Sequence, residues 1–385
     1  MTNKAKQSIY LDYSASTPMD SKVLSAMEPY FTENFYNPSA TYLAGRATKQ
    51  ALDESRARIA HWLGARPSEI VFTAGATEAN NITIHGVMQN QPETNMVISA
   101  IEHDSVAGPA SNYDCRIAKV DKTGRIDLSD LASKIDDQTL LVCVMQANNE
   151  IGTIQPIKDV SELIAKISKQ RLKNGNHRPL LLHSDSSQAS NYLDLHVARL
   201  GVDLLTINGG KIYGPKQSGA LYVKGGIKLT PTILGGSQEQ GLRSGTPNVP
   251  AVVGLATALD IAQNKRHQEV TRLKKLQQLF IDGLTQAIPD IQINGSLKTR
   301  LPNNIHVTIP GIDNETVLIQ LDEAGIMASA GSACSASNQE PSKVLKAIGL
   351  NKKAIQSSIR FTMGRQTTDL EVKKTIQILS SLVKS

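Results

Sequence analysis

Between residues 69 and 224 the chain passes repeatedly from a short, almost wholly apolar run into a longer mixed stretch, and this alternation restricts the fold more than any other feature. The runs EIVFTAG (69–75), NMVISA (95–100), CRIAKV (115–120), TLLVCVMQAN (139–148), PLLLHSD (179–185), DLLTIN (203–208) and ALYV (220–223) read as short buried strands. Segments such as IKDVSELIAKISKQR (157–171) read as the helices between them. Strands without a polar face need cover on both sides, so the expectation is an α/β domain with a mostly parallel central sheet flanked by helices. Ligands of such sheets collect at the carboxyl ends of the strands, where the loops converge.

After about residue 247 the texture changes. A long helical stretch from Asn248 to Ala287 precedes NNIHVTIP, a helix NETVLIQLDEAG, a loop of small residues, a strand SIRFTMG and a terminal helix, which together imply a smaller α+β domain. We assign residues 15–255 to the large domain, and residues 1–14 with 256–385 to the small one. The length, 385 residues, suits two such cores, and no internal repeat is evident.

The net charge of +6 comes from basic residues spread along the chain and not gathered in one run, so direct nucleic-acid binding is not expected. No window approaches the roughly 18 apolar residues of a membrane span. The start, MTNKAKQSIYLDYSAS, lacks the apolar core of a signal peptide. Three cysteines, Cys115, Cys143 and Cys334, are odd in number and without a CxxC spacing, which argues against a disulfide framework or a zinc site. These features point to the reducing cytoplasm and to no metal.

The chemistry-bearing residues sit at the ends of the expected strands. EIVFTAGATEANN runs from a strand through Gly75, Ala76 and Thr77 into a helix, so that backbone N–H groups and a hydroxyl form an anion site suited to phosphate; capping by Thr77 alone is the plainer reading. His103, after NMVISA, is placed to stack on a planar ring or to move protons. Asn148 and Asn149 are two amides at another strand end, with turn formation as the alternative. Asp185 ends LLLHSD, with Gln188 close behind; an aspartate there caps a turn or keeps a pyridine nitrogen protonated, which makes the ring an electron sink. Lys211 follows Asn208, Gly209 and Gly210, a setting in which backbone and a bound aldehyde can approach closely enough for the amine to join it. Phosphate site, aspartate, amide and lysine on successive strands amount to a pocket for pyridoxal 5'-phosphate (PLP). Cys334, in MASAGSACSAS, is flanked by small residues as in an exposed loop, and suits a nucleophile. Arg360 suits a bidentate clamp on an amino-acid carboxylate.

With these residues in place the chain resembles the cysteine desulfurases of the NifS/IscS type, in the class V branch of the fold-type-I PLP enzymes. The likeness runs through YLDYSASTP, NPSA, FTAGATEANN, EH, NNEIG, HSDSSQ, GGKIYGPK, RSGTPN, SAGSACSAS and SSIRFTMGR. The resemblance implies that Lys211 carries the cofactor, His103 stacks on its ring, Asp185 pairs the ring nitrogen, and Asn149 and Gln188 contact the ring substituents. It implies that Ala76 and Thr77 hold the phosphate, joined by Thr246 from the other subunit of a homodimer. Arg360 would fix the carboxylate of L-cysteine, and Cys334 would take its sulfur as a persulfide for an acceptor protein, an iron-sulfur scaffold or a tRNA-thiolation enzyme.

The chain also departs from the family's pattern. The usual Ser-x-His before the lysine is Asn208, Gly209 and Gly210 here, Tyr42 stands where a histidine is common, and GPKQSG replaces GPKGIG. Asn208 then replaces one phosphate contact and Gly210 gives up another. The chain ends with SSLVKS, soon after the terminal helix, without the longer tail that relatives docking a scaffold often carry. Two alternatives follow: another PLP reaction, such as selenocysteine lysis or transamination, or a non-catalytic binding protein on the same fold.

Overall fold

The computed structural model of the protein describes residues 8–331 and 341–384. Its centre is a seven-stranded sheet made of β2 (Ile70–Thr73), β3 (Asn95–Ser99), β4 (Asp114–Ala118), β5 (Thr139–Cys143), β6 (Leu181–Asp185), β7 (Leu204–Asn208) and β8 (Gly219–Val223); β1 (Ile9–Tyr10) lies elsewhere. The order is β2-β8-β7-β6-β5-β3-β4, and β8 alone runs against its neighbours. Each of the seven apolar runs in the sequence overlaps one of these strands, with β4 and β8 beginning one residue before the run.

Alternation along the strands sends side chains into two cores. Val97, Val142, Leu182, Leu205 and Tyr222 face one, while Met96, Ile98, Leu141, Cys143 and Leu221 face the other. Both faces are therefore apolar and both are covered, as parallel strands without a polar face require. From β3 the chain steps outward to β4 and then returns to β5 on β3's other side, so the strand order reverses there and the loops part to leave a crevice.

The helix Val249–Ala287 has 39 residues, about 60 Å of rise, and is shared between two cores. Val252, Leu255, Ala256 and Leu259 pack against the large sheet. Leu273, Leu276, Phe280 and Leu284 pack in a further core with Ile9, Leu11, Ile305, Val307, Ile359 and Phe361. That core lies against a three-stranded antiparallel sheet in the order β12 (Ser358–Thr362), β10 (Asn304–Thr308), β9 (Gln292–Ile293), while β1 pairs in parallel with β11 (Ile326–Met327). On β10 and β12 the alternate residues Asn304, His306, Thr308, Ser358, Arg360 and Thr362 are polar yet buried. They form the opposite face of that small sheet, which carries Arg360. Among the described residues no helix is long and apolar enough to cross a membrane.

Candidate active site

At the carboxyl edge of the large sheet, the loops after β2, β3, β5, β6 and β7 close around a cavity of about 240 Å³. Ala76, Thr77, His103, Asn149, Asp185, Gln188, Asn208, Lys211 and Arg360 all line it. Of the residues singled out in the sequence, Thr246 does not line it: it is exposed, on the stretch before the long helix. Cys334 lies outside the described residues.

Lys211 ends a single 3-10 turn, Gly209–Lys211, directly after β7. The amide oxygen of Asn208 accepts from the Gly210 N–H at 3.2 Å and so caps the turn. The Lys211 Nζ donates to the carbonyls of Ser14 (2.8 Å) and Ala15 (2.6 Å). Gln188 Nε2 donates to the same Ser14 carbonyl at 3.0 Å. Lys216, five residues on, is exposed and donates to the Thr17 carbonyl at 2.8 Å, and it is Lys211 that lines the cavity.

Asp185, at the end of β6, is buried and held by two donors, Asn80 Nδ2 on one oxygen (2.8 Å) and the Ser187 N–H on the other (2.9 Å). Nearby Glu102 is wholly buried, and burial together with the Asp185 charge pushes its carboxyl well above the usual range despite the Met145 N–H it accepts. Burial thus disfavours a charge on Glu102, and of the two carboxyl groups it is Asp185 that lines the cavity. His103 caps the helix Asp104–Ala110, its Nδ1 facing Ser105 Oγ (2.9 Å) and the Ser105 N–H (3.0 Å).

Helix Ala76–Met88 opens at the cavity without any side-chain cap. Gly75 before it has φ of 128°, a conformation that L side chains rarely adopt and that turns the chain sharply from β2 into the helix. The first-turn N–H groups are thus left for an anion. The two adjacent asparagines divide their labour. Asn148 is fully buried, its oxygen accepting from the Glu150 and Ile151 N–H groups and its nitrogen donating to the Ile101 carbonyl, whereas Asn149 faces the cavity.

Arg360 is 2% exposed, so it is no surface ion pair. It donates from Nη2 to Asp12 Oδ1 at 2.6 Å and from Nη1 to the Asn149 carbonyl at 3.1 Å. Sequence reasoning missed the Asp12–Ser16 turn. Its Asp12 side chain meets Arg360, its Ser14 and Ala15 carbonyls meet Lys211, and the Tyr10 hydroxyl pins it with its one proton shared between Asp12 O (2.9 Å) and Ser16 O (3.0 Å). The polar cluster DYSAS directly after the apolar IYL was the available signal. The other two cysteines make poor nucleophiles: burial pushes the Cys115 thiol up to about 11 and that of Cys143 well above its ordinary value.

The donor set fits PLP: an amine for the aldehyde, an uncapped helix end for the phosphate and a fixed carboxylate for the ring nitrogen. This architecture is that of the class-V aminotransferases, and the Aminotransferase class-V family model matches residues 9–375. Among curated proteins, cysteine desulfurase IscS 1 of Archaeoglobus fulgidus is 40% identical over 382 residues, covering 97% of each chain. The IscS cysteine desulfurase of Dictyoglomus turgidum is 39% identical, covering 98% of this chain and 95% of its own. A solved NifS-like protein superposes with a TM-score of 0.89 at 30% identity, over 98% of this chain and 100% of the other. The chain belongs to the PLP-dependent cysteine desulfurases of the NifS/IscS type within that family. A further solved relative, SspA in complex with cysteine, is 32% identical with a TM-score of 0.76, over 92% of this chain and 98% of its own.

Proposed function

We propose that the chain converts L-cysteine to L-alanine and takes the sulfur as a persulfide on Cys334. The observation that carries this reading is the convergence of Lys211, Asp185 and Arg360 on one cavity: an amine, an anion and a carboxylate clamp, each held by neighbours. When bound, PLP supplies an aldehyde to capture the substrate amine and an electron-poor ring to stabilise negative charge at Cα. Ala76, Thr77 and Asn208 would hold its phosphate, Asp185 its ring nitrogen, Asn149 and Gln188 its ring substituents, with His103 against the ring and Lys211 on the aldehyde.

Arg360 binds the substrate carboxylate through the guanidinium donors that Asp12 and the Asn149 carbonyl leave over. The Lys211 amine moves the proton at Cα, its reach set by the Ser14 and Ala15 carbonyls. The Cys334 thiolate attacks the substrate sulfur: the carbon–sulfur bond breaks, a sulfur–sulfur bond forms, and the carbon left behind takes a proton to become alanine. The persulfide then passes to a protein acceptor, an iron-sulfur scaffold or a tRNA-thiolation enzyme, in the cytoplasm. We assign residues 15–255 to the cofactor domain and the remainder to the small domain.

The reading includes a homodimer in which Thr246 reaches the phosphate of the opposite site. Phe31, Phe35, Tyr42, Leu43 and Leu234 are exposed in the single chain, the last two at 77% and 81%, and an apolar surface of this kind favours association. Sedimentation of the holoenzyme tests it, and a monomer at working concentration would refute it.

The catalytic reading is tested by the absorbance spectrum of the purified protein and by alanine and sulfide release from L-cysteine, in wild type, Lys211→Ala and Cys334→Ala. A visible band that disappears as a lysine-linked species in Lys211→Ala, and turnover lost in Cys334→Ala, are the expected results. Full cysteine turnover in Cys334→Ala would overturn the assignment of the acceptor.

A further inference from the structure

In the proposed reaction Lys211 and Arg360 act on one substrate from two different sheets, so the spacing between them has to be fixed. The amine end of the lysine is held by the Ser14 and Ala15 carbonyls. Their turn is itself tied to β12, the strand of Arg360: the Thr362 N–H donates to the Leu11 carbonyl at 2.7 Å, and the Ser14 N–H to Thr362 Oγ1 at 2.9 Å. The backbone end is held through Tyr213, two residues beyond Lys211.

Tyr213 is buried with φ of 64°, the left-handed region, which a bulky residue occupies only where its surroundings hold it there. Its backbone and its side chain are both held. The N–H donates to Thr17 Oγ1 at 2.8 Å, and the carbonyl accepts from the Asp20 N–H at 2.9 Å. Thr17 links this residue back to the lysine's own turn, its hydroxyl donating to the Gly210 carbonyl at 3.1 Å. The Tyr213 hydroxyl accepts from the Arg365 N–H at 2.8 Å, and the Arg365 guanidinium lies 4.0 Å from the centre of the Tyr213 ring. Arg365 Nη1 also donates to Asp20 Oδ2 at 3.1 Å, so one side chain grips both the ring and the residue that bonds the Tyr213 carbonyl.

Arg365 follows Arg360 by five residues, just past the end of β12. We propose that Arg365 is a positioning residue: by clamping Tyr213 it fixes the root of Lys211 against the strand that carries Arg360, and so sets the distance from the amine to the substrate Cα. The inference rests on the roles given above to Lys211 and Arg360. Neither Arg365 nor Tyr213 lines the cavity, so both act through the lysine and not on the substrate. Proton transfer needs donor and acceptor within hydrogen-bond reach, and a misplacement of about 1 Å can cost about a hundredfold. Loss of the Arg365 side chain leaves Arg360 and Asp12 in place, so the carboxylate is still bound while the amine loses its register with Cα.

The test compares holoenzymes of wild type, Arg365→Ala and Tyr213→Phe in two measurements. The first is exchange of the Cα proton of L-alanine with D2O, read as the rate at saturation and the half-saturating concentration; it follows the proton step without any sulfur transfer. The second, made without substrate, is amide hydrogen exchange of residues 209–213, whose Gly210, Ile212 and Tyr213 N–H groups are hydrogen-bonded. Arg365→Ala should slow Cα exchange at saturation by about ten- to a hundredfold, keep the half-saturating concentration within about twofold, and speed amide exchange in 209–213. An unchanged rate at saturation, a loss confined to the half-saturating concentration, or a slowed rate with unaltered amide exchange each overturns the proposal. A wild type that leaves the Cα proton of L-alanine in place would instead overturn the assignment of Lys211 and Arg360 beneath it. If Arg365→Ala does not fold, Tyr213→Phe keeps the ring under the guanidinium and removes only the hydroxyl; slower exchange at a constant half-saturating concentration supports the proposal, and unchanged exchange overturns it.

Discussion

Gly210→His should tighten PLP binding, and the structure shows why the substitution can be made there and nowhere else in the turn. A Cβ on Gly210 would meet nothing nearer than Asn208 Oδ1 at 3.7 Å and Lys216 at 3.8 Å, which is ordinary contact. On the adjacent Gly209 a Cβ would lie 2.1 Å from Ser218 Oγ and 3.0 Å from the Pro215 carbonyl, so that position is closed. Nor does Gly210 need a positive φ, unlike Gly75. On the proposed phosphate site the imidazole would stand beside Asn208, which lines the cavity, and add one hydrogen bond to a phosphate that Ala76, Thr77 and Asn208 would meet with neutral groups. A hydrogen bond to a charged partner is worth about 1.5–3 kcal/mol, which converts to a dissociation constant lower by about 12- to 150-fold. The assay is titration of cofactor-stripped protein with PLP, followed by absorbance and tryptophan fluorescence. Gly210→Ala serves as the control, because loss of a glycine stabilises the fold by about 0.4–1 kcal/mol through the unfolded chain alone. If Gly210→His melts like Gly210→Ala but binds PLP no more tightly, position 210 does not face the phosphate and the reasoning fails.

Two further outcomes follow from the buried charges. Asp12→Ala leaves Arg360, 2% exposed, without its carboxylate, and removal of one partner of a buried pair costs about 3–5 kcal/mol. Since Asp12 is itself 18% exposed, the lower figure is expected, read as a shift of the urea midpoint with unchanged slope; an unshifted midpoint would show that Arg360 is satisfied without it. The second outcome concerns acid. His306 is wholly buried, and burial with the Arg360 and Arg300 charges lowers it from 6.5 to about 3. Between those values the unfolded chain binds a proton that the native state does not, so stability falls as pH drops from about 6.5, by up to about 1.4 kcal/mol per unit from this residue. His306→Asn should make the stability–pH slope between pH 6 and 4 shallower by about one proton, and an unaltered slope would mean that His306 is charged in the native state.

The extent to which all this was legible in the sequence depended on how local each cause was. Six of the seven strands could be read as buried because each is an apolar run bounded by polar or glycine-rich breaks; CRIAKV was found as a strand too, but β4 is an edge strand in which Ala118 alone is buried, because nothing in the run says that it has a neighbour on one side only. Lys211, Asp185, Asn149 and His103 could be placed near one another because each follows such a strand, and parallel strands bring those ends to the same edge. The burial of Arg360 was not legible: SSIRFTMGR shows the alternation of a strand, yet nothing in it says that the polar face is covered. The partners that cover it, Asp12 and Asn149, lie 348 and 211 residues away in the chain. Distance in sequence also hid the Asp12–Ser16 turn, whose carbonyls hold Lys211 from nearly 200 residues away.

The departure at Asn208–Gly210 illustrates the same limit from the other side. Its letters are plain, and the absence of a histidine suggests a gap, but only the surrounding packing distinguishes a gap from a filled space. Gly209 is occluded by Ser218 and Pro215, while Gly210 opens beside Asn208, and Asn208 has one amide oxygen committed to the Gly210 N–H. The capping bond fixes which end of the Asn208 amide is left for the cavity, namely its N–H₂ donors. On the proposed phosphate site Asn208 would therefore serve only as a donor, and only while the residue at 210 keeps its backbone N–H in the turn. A proline at 210 would remove that N–H and release the amide to rotate, so the capacity of Asn208 to stand in for the lost contact depends on the backbone of the glycine that caused the loss.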